Sequence, residues 1–229
     1  MTDKILRYGV VGAGSVAEQK HLKGYSKIDG IKIVAICCNK NIDKAKTLAE
    51  RYGIQQIYTN YNSMFKDMNL DIISICTPNY THASIAIAAL EKGINVHLEK
   101  PAALNAVEAQ KIVEAKDKSG KKVMMALNNR FTNNSYFVKN FIDSSSMGDV
   151  YHIRCGWKRR RGIPGKGSWF TNKTLSGGGV LIDLGVHFID LLLFLIGNMD
   201  IETVSGQTYT KFLNDESRNS WSYGSKGYG

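Results

Sequence analysis

The chain has 229 residues, room for one large or two small domains at roughly 100–200 residues each. Its 43% hydrophobic and 22% charged composition is that of an ordinary soluble globular protein, not of a fibrous, disordered or disulfide-scaffold chain. The net charge of +10 does not point to nucleic acid: the lysines are scattered over predicted helices, and Lys158 to Arg161, the one basic run, has neither an aromatic ladder nor a recognition-helix pattern beside it.

No secretory leader is read at the start, where Met1 to Lys4 lead directly into a strand-like run. Over the first 125 or so residues, short apolar runs alternate with helical patterns, which implies βαβ units. Strands are expected over 6–11, 32–37, 72–75, 95–98 and 123–126, with a short further one over 57–59. Helices are expected over 16–27, 42–52, 82–92 and 105–119. The strands are continuously apolar rather than alternating, as when helices cover both faces of a sheet. The fold class is therefore α/β, with a doubly wound parallel sheet in a first domain spanning 1–127.

The chain changes character after Asn128. A polar helical segment over 132–144 precedes a strand over 150–157 and a Gly/Lys/Arg-rich loop over 158–176. An apolar helix over 179–196 follows, and a strand-like run begins at Ile201. These make a second, α+β domain over 128–229 that looks incomplete, because two strands and a helix form a poor core. The apolar stretch from Val180 to Ile196 is interrupted by Asp183, His187 and Asp190, so no membrane span is expected. The four cysteines lack C-x-x-C spacing, and three lie in apolar strand-like runs, so reduced thiols in a cytoplasmic protein are expected.

Gly12-Ala13-Gly14-Ser15-Val16-Ala17 follows the first strand and opens the first helix, matching G-x-G-x-x-G/A. The first glycine permits a tight turn, and the second lets the backbone approach a pyrophosphate. The small third residue allows close helix–strand packing, and the helix N-terminus favours an anion. A dinucleotide cofactor is thus expected on Gly12, Gly14, Ser15, Val16 and Ala17. Selectivity between cofactors is written after the second strand, where an acid commonly holds the ribose 2′-hydroxyl. Here that place holds neutral Asn39 beside Lys40, which favours NADP over NAD.

Two further motifs lie at strand ends, where doubly wound sheets bind ligands. Thr77, Pro78, Asn79 and His82 follow the 72–75 strand, and Glu99-Lys100-Pro101 follows the 95–98 strand. A lysine next to a proline has a restrained backbone, so its ammonium can be aimed at a substrate oxygen. Farther on, Gly177-Gly178-Gly179 precede Asp183 and His187, which share a face of an α-helix at i, i+4. An acid–imidazole pair suits proton transfer from a substrate hydroxyl, imidazole being a residue type that titrates near neutrality. Taken alone, the pair reads more readily as a helix N-terminus with a buried, hydrogen-bonded histidine, and the motifs upstream reverse that preference. No third ligand at metal spacing accompanies it, so no metal is expected.

Together, Gly12 to Ala17, Thr77 to His82, Glu99-Lys100-Pro101, Asn129-Arg130-Phe131 and Gly177 to His187 resemble the glucose–fructose oxidoreductase / inositol dehydrogenase / MocA family. The resemblance covers nearly all residues from Lys4 to about Gly206. It implies a Rossmann domain followed by an α+β domain with an open mixed sheet, and a catalytic set of Lys100, Asp183 and His187. It also implies a cofactor-binding set that includes Glu99, Lys100, Asn128 and Arg130 as well as the turns above. The expected activity is NAD(P)-dependent transfer of hydride between the cofactor and a secondary alcohol of a sugar, cyclitol or related polyol. Arg154, Arg160 and Trp169 are candidate substrate contacts. Relatives with this fold also include non-catalytic NAD(P)-binding sensors and enzymes acting on a dihydrodiol or an imine. Members commonly exceed 300 residues and associate as homo-oligomers, dimers or tetramers. This chain is therefore expected to be a fragment that binds cofactor with little turnover.

Overall fold

The computed structural model describes residues 4–145, 147–158, 168–197 and 200–210. The chain divides into two compact units. The first takes the residues up to Ala126 together with Lys173–Gly177, and the second takes Leu127–Asn172 and the residues from Gly178 onward. The segment Lys173–Gly177 thus falls in the first unit, although the sequence places it in the second domain.

The first unit holds six strands: β1 (Leu6–Val11), β2 (Ile31–Cys37), β3 (Gln56–Tyr58), β4 (Ile72–Ile75), β5 (Asn95–Leu98) and β6 (Val123–Met125). They form one sheet in the order β3-β2-β1-β4-β5-β6, and every neighbouring pair is parallel. Parallel neighbours need a crossover, and helices supply it. A π turn (Ala17–Leu22) runs into α1 (Lys23–Tyr25), followed by α2 (Ile42–Tyr52), α3 (Tyr61–Asp67), α4 (His82–Glu91) and α5 (Ala106–Ser119). Asparagines start three of them. Asn41 accepts from the Lys44 N–H at 3.1 Å, Asn105 from the Glu108 N–H at 3.0 Å, and Asn60 from the N–H groups of Asn62 and Ser63. The Asn60 cap opens α3, a helix the sequence reading does not contain.

Alternation along the strands divides the core in two. Tyr8, Val10 and Ile36 face a layer completed by Ala17, Leu22, Ala45 and Leu48 from the π turn and α2. Val11, Ile73, Ile75, Val96 and Leu98 face the opposite layer, closed by Phe65 of α3 and by Ala86, Ala89 and Leu90 of α4. Each fully buried Leu or Ile among these contributes roughly 1.5–3 kcal/mol.

The second unit is described by its helices. A 3₁₀ turn (Asn128–Phe131) leads into α6 (Asn133–Asp143), which Thr132 caps by accepting from the Ser135 N–H at 3.2 Å. The short α7 (Lys173–Ser176) belongs to the first unit. A second π turn (Leu181–Gly185) then continues as α8 (Val186–Ile196). Helices α6 and α8 pack together, with the rings of Tyr136 and Phe194 edge-to-face at 6.1 Å. The strand expected over 150–157 is not formed, and residues 201–210 are likewise irregular and exposed. A strand needs a neighbour to satisfy its N–H and C=O groups, and among the described residues of this unit there is no strand to pair with. The expected mixed sheet is accordingly absent from the described residues, and Cys155 is exposed instead of lying in a strand. By length and composition alone, Lys173–Ile196 is apolar enough to cross a membrane, with a mean hydropathy of 2.2.

Candidate functional site

The strand order reverses direction between β1 and β4, the topological switch point of the sheet. The glycine turn leaves β1 there and the Thr77–His82 segment leaves β4, so both line the crevice in which such sheets take ligands. Backbone bonds extend the ladder into these turns. The Gly12 N–H donates to the Cys37 carbonyl at 2.8 Å, and the Cys76 N–H to the Val11 carbonyl at 2.8 Å.

The three small residues of the turn meet different constraints. Gly12 has φ +100°, and a Cβ there would lie 2.4 Å from the Cys76 carbonyl oxygen. Two strand ends touch at this point, so only glycine fits. A Cβ on Gly14 would meet nothing within 4 Å. Its backbone therefore borders open space, as a turn does that must admit a phosphate. Ala17 is fully buried where the helix crosses β1. These residues fit a dinucleotide. At the end of β2, Asn39 and Lys40 are both exposed, and no acid lies between Cys38 and Asn41.

The Thr77–His82 segment is stitched to the Glu99–Pro101 turn through His82. This buried ring has Nδ1 2.6 Å from the Pro101 carbonyl and Nε2 2.8 Å from the Thr77 carbonyl. Burial pushes its pKa down despite both carbonyls. The ring is therefore neutral at pH 7 and can donate to only one of the two carbonyls. The amide nitrogen of Asn79 donates to the Ser176 carbonyl at 2.8 Å and ties this turn to α7. The Thr81 hydroxyl donates to Thr77 Oγ1 at 2.7 Å, ordering the same turn.

Glu99 and Lys100 lie half-buried past the end of β5, and the Lys100–Pro101 peptide is cis. Burial raises the Glu99 carboxyl. The hydrogen bond and charge of His21 and the N–H of Lys100 outweigh that and hold it below the usual carboxylate range. His21 was not singled out from sequence. It lies 4% exposed in the π turn, with Nδ1 2.9 Å from Ser74 Oγ and Nε2 2.9 Å from Glu99 Oε1. Beside it His97, pushed down to about 4 by burial and by His21, has Nδ1 3.1 Å from the Tyr25 hydroxyl.

The remaining expected residues belong to the second unit. Asp183 sits half-buried in the wider π turn and His187 half-buried in the first turn of α8. The i, i+4 rule of a regular α-helix therefore does not transfer directly to this pair. Arg130, expected at the cofactor, has its guanidinium on Asp190. Its Nε donates to Oδ2 at 2.7 Å, its second nitrogen pairs with Oδ1, and the Phe194 ring lies 5.6 Å away. Asp190 is buried, and a bidentate arginine on a buried acid is an anchor for α8. Its signal in sequence is an acid within an otherwise apolar helix. Asn128 is exposed at the start of the 3₁₀ turn. Arg154 is exposed on irregular backbone, and Trp169 is half-buried with its ring 4.9 Å from Phe170. Arg160 lies outside the described residues. Among the described residues no group of three His, Cys, Asp or Glu side chains could hold a metal ion.

Residues 6–127 match the family described as an oxidoreductase family with an NAD-binding Rossmann fold. Residues 137–221 match the GFO/IDH/MocA C-terminal domain. A D-glucoside 3-dehydrogenase of Escherichia coli (strain K12) is 32% identical over 92% of this chain and 60% of its own length. An inositol 2-dehydrogenase of Salmonella typhimurium (strain LT2) is 30% identical over 87% of this chain and 56% of its own. The crystal structure of a myo-inositol 2-dehydrogenase from Lactobacillus plantarum superposes with a TM-score of 0.72 at 26% identity, over 85% of this chain and 57% of that one. The chain thus spans little more than half the length of these relatives.

Proposed function

The chain belongs to the GFO/IDH/MocA oxidoreductase family, with an NAD-binding Rossmann fold, and on that premise we propose that it carries out reversible oxidation of a secondary alcohol on a sugar, cyclitol or related polyol. The observation that carries this reading is the coexistence of two things. A glycine turn shaped for a dinucleotide stands at the switch point, and Lys100, Asp183 and His187 are all retained. A bound nicotinamide dinucleotide supplies the hydride acceptor. Lys100 binds the reacting oxygen and stabilises the negative charge that develops on it. His187 takes the proton from the hydroxyl oxygen as the carbon bearing that oxygen gives up its hydride, and Asp183 orients the imidazole or binds a neighbouring hydroxyl. Thr77, Pro78 and Glu99 are retained as cofactor contacts, and Arg154, Arg160 and Trp169 as substrate contacts.

Two sugar or cyclitol dehydrogenases among the relatives support the substrate class. Asn39 and Lys40 support NADP at least as well as NAD. The protein is read as cytoplasmic and homo-oligomeric, acting without nucleic acid or membrane. Asp183, His187 and the Arg130–Asp190 pair suit a domain helix better than a lipid-facing one.

The test uses the complete protein against a panel of sugars, inositols and sugar acids, reading NADH and NADPH formation. Turnover on at least one polyol is expected. Lys100→Met should abolish it while cofactor binding survives, and His187→Ala should lower the rate by roughly 10²–10⁴-fold, the size of a general-base contribution. Near-normal turnover in both variants would overturn the roles given to Lys100 and His187, and cofactor binding with no turnover on any of these substrates would instead favour a sensor.

A further inference from the structure

On the sheet face under the π turn and α1, a polar cluster lies beside the apolar layer of Tyr8 and Val10. Ser74 and His97 are in register on β4 and β5, opposite in facing to Ile73, Ile75, Val96 and Leu98. The Glu99 N–H donates to the Ile75 carbonyl at 3.1 Å, so the alternation continues and Glu99 shares the face of His97. The Tyr25 ring stacks on Tyr8 at 4.0 Å, and the His21 and His97 rings lie 4.6 Å apart. Into this patch the π turn lowers His21, in contact with Ser74 and Glu99. A π turn's extra residue displaces the side chains within it, a distortion common where a helix serves a site.

The hydrogen-bond roles follow from chemistry. An ionised Glu99 only accepts, so Nε2 of His21 carries the proton toward it, and Nδ1 shares a hydrogen bond with the Ser74 hydroxyl. The other Glu99 oxygen, Oε2, accepts from the backbone N–H of Lys100 at 3.2 Å. A histidine satisfied within the core needs only some acceptor. Here the acceptor is the residue before the lysine, and its second oxygen is on that lysine's own backbone. His21 also lies four residues past Ala17, in the helix that begins at the glycine turn. The chain from His21 to Lys100 therefore joins the two loops by two hydrogen bonds.

We propose that His21 is a positioning residue, which through Glu99 fixes the backbone of Lys100 and ties the reacting lysine to the dinucleotide-binding helix. The proposal rests on the reading of Lys100 as the group that binds the reacting oxygen.

Amide exchange at Lys100, followed by NMR in the complete chain, tests it independently of activity. His21→Leu is expected to speed that exchange about tenfold or more, because the Glu99 carboxylate loses its anchor. His21→Gln, whose amide can still donate to Oε1, should stay near wild type. Glu99→Gln approaches the same contact from the other side. Its amide faces two donors with a single acceptor oxygen, so it too should speed exchange, and it carries the test if His21→Leu does not fold. With the active complete protein, His21→Leu should lower kcat by roughly tenfold to a hundredfold, while KM and NADH affinity stay within about threefold. His21→Gln should recover most of that loss.

Wild-type exchange at Lys100 in both His21→Leu and Glu99→Gln would overturn the proposal. So would faster exchange with unchanged kcat, or NADH affinity falling in step with rate in every variant, His21→Gln included. A protein that turns over no polyol defeats the functional reading, whereas the exchange measurement still decides whether His21 holds Lys100.

Discussion

Gly12 and Gly14 separate what a fold requires from what a ligand requires. Gly12 is at φ +100° with the Cys76 carbonyl 2.4 Å from the position of a Cβ. Gly12→Ala therefore meets backbone strain of order 1–3 kcal/mol as well as a clash with main chain that cannot swing away. It should lower the melting temperature and abolish NADH binding together. Gly14→Ala meets no protein atom within 4 Å, so its melting temperature should match wild type while NADH affinity falls. Equal thermal effects of the two substitutions would remove the case that Gly14 borders a ligand. The other residue-scale question is the 2′-position. NADPH should bind at least as tightly as NADH, and Lys40→Ala should weaken NADPH alone. A tenfold preference for NADH, about 1.4 kcal/mol, would show that Asn39 and Lys40 do not read a phosphate.

Helix α8 carries one of the proposed reacting groups, and its attachment within its own unit runs through Arg130 and Asp190. Removing the guanidinium leaves a buried carboxylate without its bidentate donor, a loss of about 1.5–3 kcal/mol for hydrogen bonds to a charged group. Arg130→Ala should therefore lower the stability of the second unit in urea titrations. Arg130→Lys should recover only part, because an ammonium cannot reproduce the fork. An unchanged unfolding midpoint in Arg130→Ala would mean that α8 is held by apolar packing alone. Elements differed sharply in how far sequence exposed them. The strands from Leu6–Val11 to Asn95–Leu98 were legible because continuous apolar runs between helical patterns have few other readings. Helix α3 was not, since seven residues give too short a period, although Asn60 four residues ahead of the apolar pair Met64–Phe65 was its available signal. The π turns were hidden because an inserted backbone residue depends on what the helix packs against. The His21–Glu99 contact joins positions 78 apart and leaves no local pattern. Resemblance places Arg130 at the cofactor, while its contact with Asp190 has its own signal, an acid within the apolar run of α8.

At the scale of the whole chain, the two units differ in how completely they bury their apolar side chains. The first closes its core between Tyr8 and Val123 with residues of its own sheet and helices. A fragment of residues 1–127 loses the Asn79–Ser176 hydrogen bond, worth only about 0.5–1.5 kcal/mol, and should still melt cooperatively and bind NADH. In the second unit Phe137 is 73% exposed, Val180 69%, Leu181 62% and Trp157 51%, and no strand is formed among its described residues. Exposed apolar surface of this kind drives association. A reacting constellation must also be held to about 0.5 Å, which a helix so sparsely covered does not provide. The 229-residue chain should therefore bind NADH with little turnover, bind a hydrophobic dye strongly, and associate as its concentration rises. The 1–127 fragment should bind NADH without either of the last two properties. Sedimentation of both at increasing concentration, with dye fluorescence in parallel, separates the cases. A 229-residue chain that stays monomeric, leaves the dye dark and turns over a polyol at a normal enzymatic rate would show that its second unit is already covered.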